Sequence, residues 1–181
     1  LAAAAGDLRL HYQPLVDLRT QGRVVGVEAL LRCGRPDLRD VSIGEIVTLA
    51  EDTGLIHRLG AWAIDQACRQ LAAWESDRTW SHALHGLHVN VSGHQLRDPA
   101  FVSVVASALE RHGVPPGSMT LELTESVWIG NDTASLEALN LLRSLGVQLS
   151  LDDFGKGYSS LAYIADDELV EVTPDAIRIR K

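Results

Sequence analysis

Short runs that alternate apolar and polar residues take turns along this chain with longer stretches at helical spacing. "DLRLHYQPLVDL" (7–18) and "GRVVGVEALLR" (22–32) read as strands on either side of an "RTQG" turn. Helical spacing follows over "SIGEIVTLAEDTG" (42–54), with Ser42 as N-cap and Gly54 as stop, and then over 58–75. "LHVNVS" (87–92) is a strand, and "DPAFVSVVASALERHG" (98–113) a helix with Asp98 capping and Pro99 at its first position. "MTLELTES" (119–126) is a strand, 133–145 a helix closed by Gly146, and "VQLSLDD" (147–153) a strand. "YSSLAYI" (158–164) has helical spacing, the acidic "ADDELVEVTPD" (165–175) reads as an irregular surface excursion, and "AIRI" (176–179) as a last short strand. Such alternation predicts an α/β architecture with a largely parallel sheet, either a (β/α) barrel or an open doubly wound sheet. The absence of a glycine-rich turn after any strand weakens the second.

Side chains two apart on a strand share a face. Glu28 therefore lies with Val24, Gly26, Leu30 and Arg32, opposite Val25, Val27, Ala29 and Leu31. Asn90 lies with His88 and Ser92, Glu122 with Thr124, and Asp152 with Ser150 and Gln148. Four strands thus each carry an acidic or amide side chain late in an apolar run, and in α/β proteins the carboxyl ends of the strands form the ligand face. Carboxylates gathered in a dry mouth need cations or close basic partners, and oxygen donors suit hard ions such as Mg²⁺ or Mn²⁺. Adjacent Asp152 and Asp153 could then each face a different ion. Taken singly, each residue has an ordinary reading: Asp153 capping a turn, Glu28 pairing with Arg32, Asn90 as a satisfied core amide.

Composition narrows the partners. The chain has 181 residues, enough for one domain with a sizeable core, and carries a net charge of −8, which disfavours a nucleic acid polymer. No apolar run reaches the roughly 20 residues of a membrane span, and "LAAAAGD" lacks the features of a secretory signal. Cys33 and Cys68 have no metal-type spacing and fit a reducing compartment, so the cytoplasm is expected. His82, His85 and His88 in "SHALHGLHVN" tempt a zinc reading, but the spacing runs from an irregular segment into a strand and does not give one face; surface or core histidines are the expectation.

At this point a family resemblance enters. "VEALLR" (27–32), preceded by "YQPLVDL" (12–18), resembles the signature of the EAL domain, named for the triplet Glu28-Ala29-Leu30. "LAEDTGLIHRLGAW" (49–62), "HVNVSGHQL" (88–96), "LELTES" (121–126) and "LDDFGKGYSSL" (151–161) resemble its later motifs, in order. The resemblance implies a modified TIM-type barrel with an antiparallel first strand, and a phosphodiesterase that opens cyclic di-GMP to linear pGpG by two-metal catalysis. It implies that Glu28, Asn90, Glu122 and Asp152 hold one Mg²⁺ or Mn²⁺ and that Asp153 helps hold a second. It assigns Gln13, Leu30 and Arg32 to the nucleotide, and Glu125 to steadying the loop after Asp153. Loop 154–161 is the one such domains use in metal binding and homodimer contact.

Departures from the family pattern temper the expected activity. Lys156 stands where threonine is usual, and Cys33 and Gly34 replace a usual tryptophan and its neighbour. "TPDAIRIRK" (173–181) resembles the family's "PDxIKID" strand, which puts Arg178 at the catalytic lysine and Arg180 at the following aspartate. Arginine keeps the charge but not the compact ammonium. The family's last strands have no counterpart, so the expectation is one EAL-like domain over 1–181, incomplete at its C-terminus and attached in the whole protein to a sensor or diguanylate cyclase domain. The alternative is a catalytically degenerate EAL module that binds cyclic di-GMP or a protein partner.

Overall fold

The computed structural model describes residues 7–17, 22–38, 40–77, 86–124, 133–152, 169–172 and 177–180, with backbone alone at 124, 152 and the last two segments. Strands β1 (Leu8–Asp17) and β2 (Arg23–Cys33) form an antiparallel pair. Helices α1 (Ile43–Asp52) and α2 (Ile56–Ser76) follow, then β3 (Leu87–Val91), the single turn α3 (Gly93–Leu96) and α4 (Phe101–His112). Next come β4 (Met119–Thr124), α5 (Thr133–Leu145), β5 (Gln148–Asp152), β6 (Leu169–Val172) and β7 (Ile177–Arg180). The main sheet runs β1-β2-β3-β4-β5, parallel from β2 onward. This is a TIM-like barrel with an antiparallel first strand, not closed among the described residues.

Period-two patterning decides which side of the sheet the helices cover. Val27, Ala29, Leu87, Val89, Val91, Met119, Leu121 and Leu123 form one buried cluster with Ile64, Ala67, Cys68 and Leu71 of α2, Val105, Ala108 and Leu109 of α4, and Leu139 and Leu142 of α5. Tyr12 of β1 meets Trp74 of α2 edge to face, ring centroids 4.8 Å apart. The opposite face of the same strands carries Gly26, Glu28, His88, Asn90, Thr120, Glu122 and Ser150, and there the polar groups meet. Both cysteines are free, and burial pushes the Cys68 thiol up to about 12, the mark of a core residue.

Several boundaries differ from expectation. Ser42 caps α1 in a reciprocal box with Glu45, as its sequence position predicts. Asp98 does not cap α4: its Oδ1 accepts from Ala100 N and its carbonyl from Phe101 N, so "DPA" is a turn and the helix begins at Phe101. The turn α3 has no counterpart in the hydrophobic pattern, because one turn is too short to show a period. Residues 165–175, expected to be irregular, contain β6: "LVEV" is apolar and β-branched enough for a strand, and its acidic flank obscures the run. It pairs antiparallel with β7 in a separate two-stranded sheet, whose strand β7 lies beside β5. The helix expected at 158–164 lies outside the described residues.

Candidate functional site

The site is built by stagger across parallel strands. Glu28 on β2 is in register with His88 on β3; two residues on, Asn90 is in register with Glu122 on β4; Glu122 is in register with Ser150 on β5, and Asp152 stands two residues beyond. The polar positions thus advance two residues toward the carboxyl ends from β2 to β3 and again from β4 to β5, while Asn90 and Glu122 stand level. Asn90 Nδ2 donates to Glu28 Oε1 at 2.8 Å, joining two residues 62 positions apart in sequence. Glu122 is wholly buried, and His88 Nδ1 lies 2.8 Å from its Oε1. The Arg32 guanidinium donates to its neighbour's carbonyl, Leu31 O, at 2.8 Å, rather than to Glu28.

Other expected residues fall into three groups. Gln13 is exposed on β1 directly opposite Glu28, and Leu30 and Arg32 continue β2 on the same face, opposite His11 and Arg9. Asp152 ends β5, and its backbone position adjoins Thr124 of β4. Arg178 belongs to β7, in register with Glu171 of the hairpin and outside the five-stranded sheet. Asp153, Glu125 and Lys156 lie outside the described residues, as do His82 and His85. Cys33 ends β2, half-buried and opposite Leu8.

The donors present fit a hard divalent cation. Two carboxylates and an amide from adjoining strands offer oxygen and no sulfur, the chemistry that Mg²⁺ and Mn²⁺ take. Ser150 Oγ, in register beside Glu122, is buried with no hydrogen-bond partner among the described residues, as expected of a hydroxyl that serves a water or an ion. No group of three His, Cys, Asp or Glu side chains assembles among the described residues, so a complete ligand set would need Asn90 and the carboxylate of Asp152.

Two features escape the hydrophobic pattern. His88 is a core histidine, as expected of it, but one set against a site carboxylate. Ser92, directly after β3, donates its hydroxyl to Glu51 Oε1 of α1 and caps α3 in a reciprocal box with Gln95. These bonds tie the chain just beyond Asn90 to α1. "SGHQ" is a capping-box sequence, and that signal could have located the turn.

Comparison with known proteins adds independent information. The EAL domain profile matches residues 1–181. The chain is 44% identical over 158 residues to the bifunctional diguanylate cyclase/cyclic di-GMP phosphodiesterase MucR of Pseudomonas aeruginosa, covering 87% of this chain and 22% of that protein. It is 36% identical over 174 residues to the oxygen sensor protein DosP of Escherichia coli, covering 96% of this chain and 21% of that one. Among solved structures it resembles the PaMucR phosphodiesterase in complex with c-di-GMP, with a TM-score of 0.79 and 40% identity over 90% of this chain and 64% of that one. It also resembles the EAL enzyme Bd1971 in its cAMP- and cyclic-di-GMP-bound form, with a TM-score of 0.80 and 30% identity over 90% of this chain and 44% of that one. The chain spans about a fifth of the length of these two curated relatives.

Proposed function

The chain belongs to the EAL domain family, and from that membership we propose that it binds cyclic di-GMP and hydrolyses it to pGpG with the help of two divalent cations, Mg²⁺ or Mn²⁺. The observation that carries this reading is the convergence of Glu28, Asn90 and Glu122 on one face of three adjoining strands, Asn90 level with Glu122 and hydrogen-bonded to Glu28. Glu28, Asn90, Glu122 and Asp152 would hold one ion, and Asp153 would help hold the second. Such ions supply Lewis acidity, lowering the pKa of a water and offsetting charge on the leaving oxygen.

The remaining work falls to the chain. Gln13 and Leu30 flank Glu28 on the exposed side of the β1–β2 ribbon and suit contact with the nucleotide. Arg32 is exposed, and its planar fork of donors matches a phosphate. Hydrolysis adds a water oxygen to phosphorus and breaks the bond to the ribose 3′-oxygen, which takes up a proton and leaves as a hydroxyl. Arg178 carries a charge that can steady the phosphoryl oxygens but cannot serve as a base near neutral pH. The domain is read as one module, 1–181, of a longer cytoplasmic signalling protein with an attached sensor or diguanylate cyclase domain; loop 154–161 is its candidate homodimer contact.

A second reading, a degenerate module that binds cyclic di-GMP or a protein without turnover, is favoured by one observation: Arg178 sits at the family's lysine position in "AIRI", on a strand outside the main sheet. Incubating the protein with cyclic di-GMP and Mn²⁺ and following pGpG by mass spectrometry separates the two. Hydrolysis is expected, with Glu28→Gln reducing it to the detection limit. Calorimetric binding of cyclic di-GMP without product would establish the degenerate nucleotide-binding reading, and neither binding nor product would overturn hydrolysis and nucleotide binding together.

A further inference from the structure

His88 is a neighbour of the site that neither the ligand set nor the nucleotide contacts include. Its side chain is 7% exposed and that of Glu122 is fully buried, so the 2.8 Å contact between Nδ1 and Oε1 lies in a region where water competes little. An ionised carboxylate only accepts, so for Glu122 to serve a cation in this pair Nδ1 must carry the hydrogen and donate. On the β2 side the ring faces Gly26, where a Cβ would stand in ordinary contact with it, 3.5 Å from Nε2 and 3.6 Å from Cδ2. The imidazole therefore lies between Gly26 of β2 and the Glu122 carboxylate of β4, the strands on either side of its own. His88 is level with Glu28 and stands two residues before Asn90, which places it one step deeper in the sheet than Asn90 and Glu122.

We infer that His88 is a positioning residue for Glu122, holding that carboxylate in the rotamer that presents it to a divalent cation. The inference rests on the metal reading of the site. A glutamate side chain has three torsions to fix, and a ligand left free to rotate loses affinity through the entropy of ordering it. Fixing Oε1 to a rigid ring supplies that order before the ion arrives. Glu28 receives the same service from Asn90 Nδ2, but at an exposed position where the bond is weaker.

The test uses manganese alone, without nucleotide, titrated into the protein and its variants while free Mn²⁺ is read by electron paramagnetic resonance. His88→Leu removes the donor and is expected to weaken Mn²⁺ affinity roughly 10- to 100-fold. His88→Asn places an amide nitrogen near the position of Nδ1 and is expected to recover most of that loss. Both variants lose the buried imidazole ring, so both should melt earlier than the parent. A purely structural role predicts that affinity follows melting temperature in both; positioning predicts that only the leucine variant loses the ion. Unchanged affinity in His88→Leu, or equal loss in both variants, overturns the inference. A parent protein that binds no Mn²⁺ overturns the metal reading itself and the inference with it. Should neither variant fold, long-range ¹H–¹⁵N spectra of the parent decide: a protonated Nδ1 on His88 is required, and an unprotonated one overturns the proposal.

Discussion

Asp65 on α2 receives two donors from α4 on one oxygen, Arg111 Nη1 at 2.5 Å and His112 Nε2 at 3.0 Å. Partial burial would raise its carboxyl, but the bonds from His112 and Arg111 outweigh burial and hold it below the usual carboxylate range. A group depressed in the folded state contributes stability that is full above its unfolded value, near 4, and fades as pH falls through the lower folded value. Asp65→Asn keeps the shape and loses the charge, at a cost of about 1 kcal/mol at neutral pH. The gap in melting temperature between parent and variant should therefore be widest near neutrality and close in acid. A gap that widens toward acid would show that the α2–α4 link does not depend on the ionised form. Residue identity made Glu28, Asn90, Glu122 and Asp152 legible, because a polar residue in an apolar run is conspicuous. His88 was legible only as a polar neighbour of Asn90, since its partner lies 34 residues away.

At the scale of elements, α2 passes close to α3 through a glycine. A Cβ at Gly60 would come 1.8 Å from Gln95 Nε2, so the buried amide occupies the space that glycine leaves. Gln95 Oε1 accepts from Ser92 N at 3.1 Å, the bond that caps α3 just after Asn90. Gly60→Ala would gain about 0.5–1 kcal/mol as a better helix former in mid-helix. Displacing Gln95 breaks the cap and strands a buried polar group, at about 1–3 kcal/mol, so displacement wins and the variant is expected to melt a few degrees earlier. Gln95→Ala removes the obstacle, and the double variant should be more stable than the sum of the single losses by about 1 kcal/mol in a thermal double-mutant cycle. Additivity would mean that the two residues do not compete for space. Among elements, α1, α4, α5 and β1 to β5 followed from periodicity to within a few residues. Strand β6 did not, because four residues hold too little of a period to stand out from an acidic flank.

The whole molecule is a sheet with apolar and polar faces, and stability is graded across it. Strands β3 and β4 have neighbours on both sides and helices on one face, whereas among the described residues β1 is hydrogen-bonded along one edge only. Amide hydrogen exchange should accordingly be slowest over Leu87–Val91 and Met119–Thr124 and faster over Leu8–Asp17. Uniform protection from β1 to β4 would mean that the sheet opens as one unit rather than from its edge. Asn90 and Glu122 lie on the protected strands, with Glu28 on the adjoining β2. No helix among the described residues is long and apolar enough to cross a membrane.

By itself the sequence determined the alternation of strands and helices, the shared face of Glu28, His88, Asn90 and Glu122, and membership of the family. These follow from periodicity within an element and from motifs of contiguous residues, so they need no knowledge of what packs where. Tertiary structure alone decided the stagger that brings Glu28 to Asn90, the burial of Glu122 against His88, and the gap at Gly60 that Gln95 fills. Each depends on the register between strands or the approach of two elements, and hydrogen bonds between residues dozens of positions apart leave no mark on the local pattern that specifies either partner.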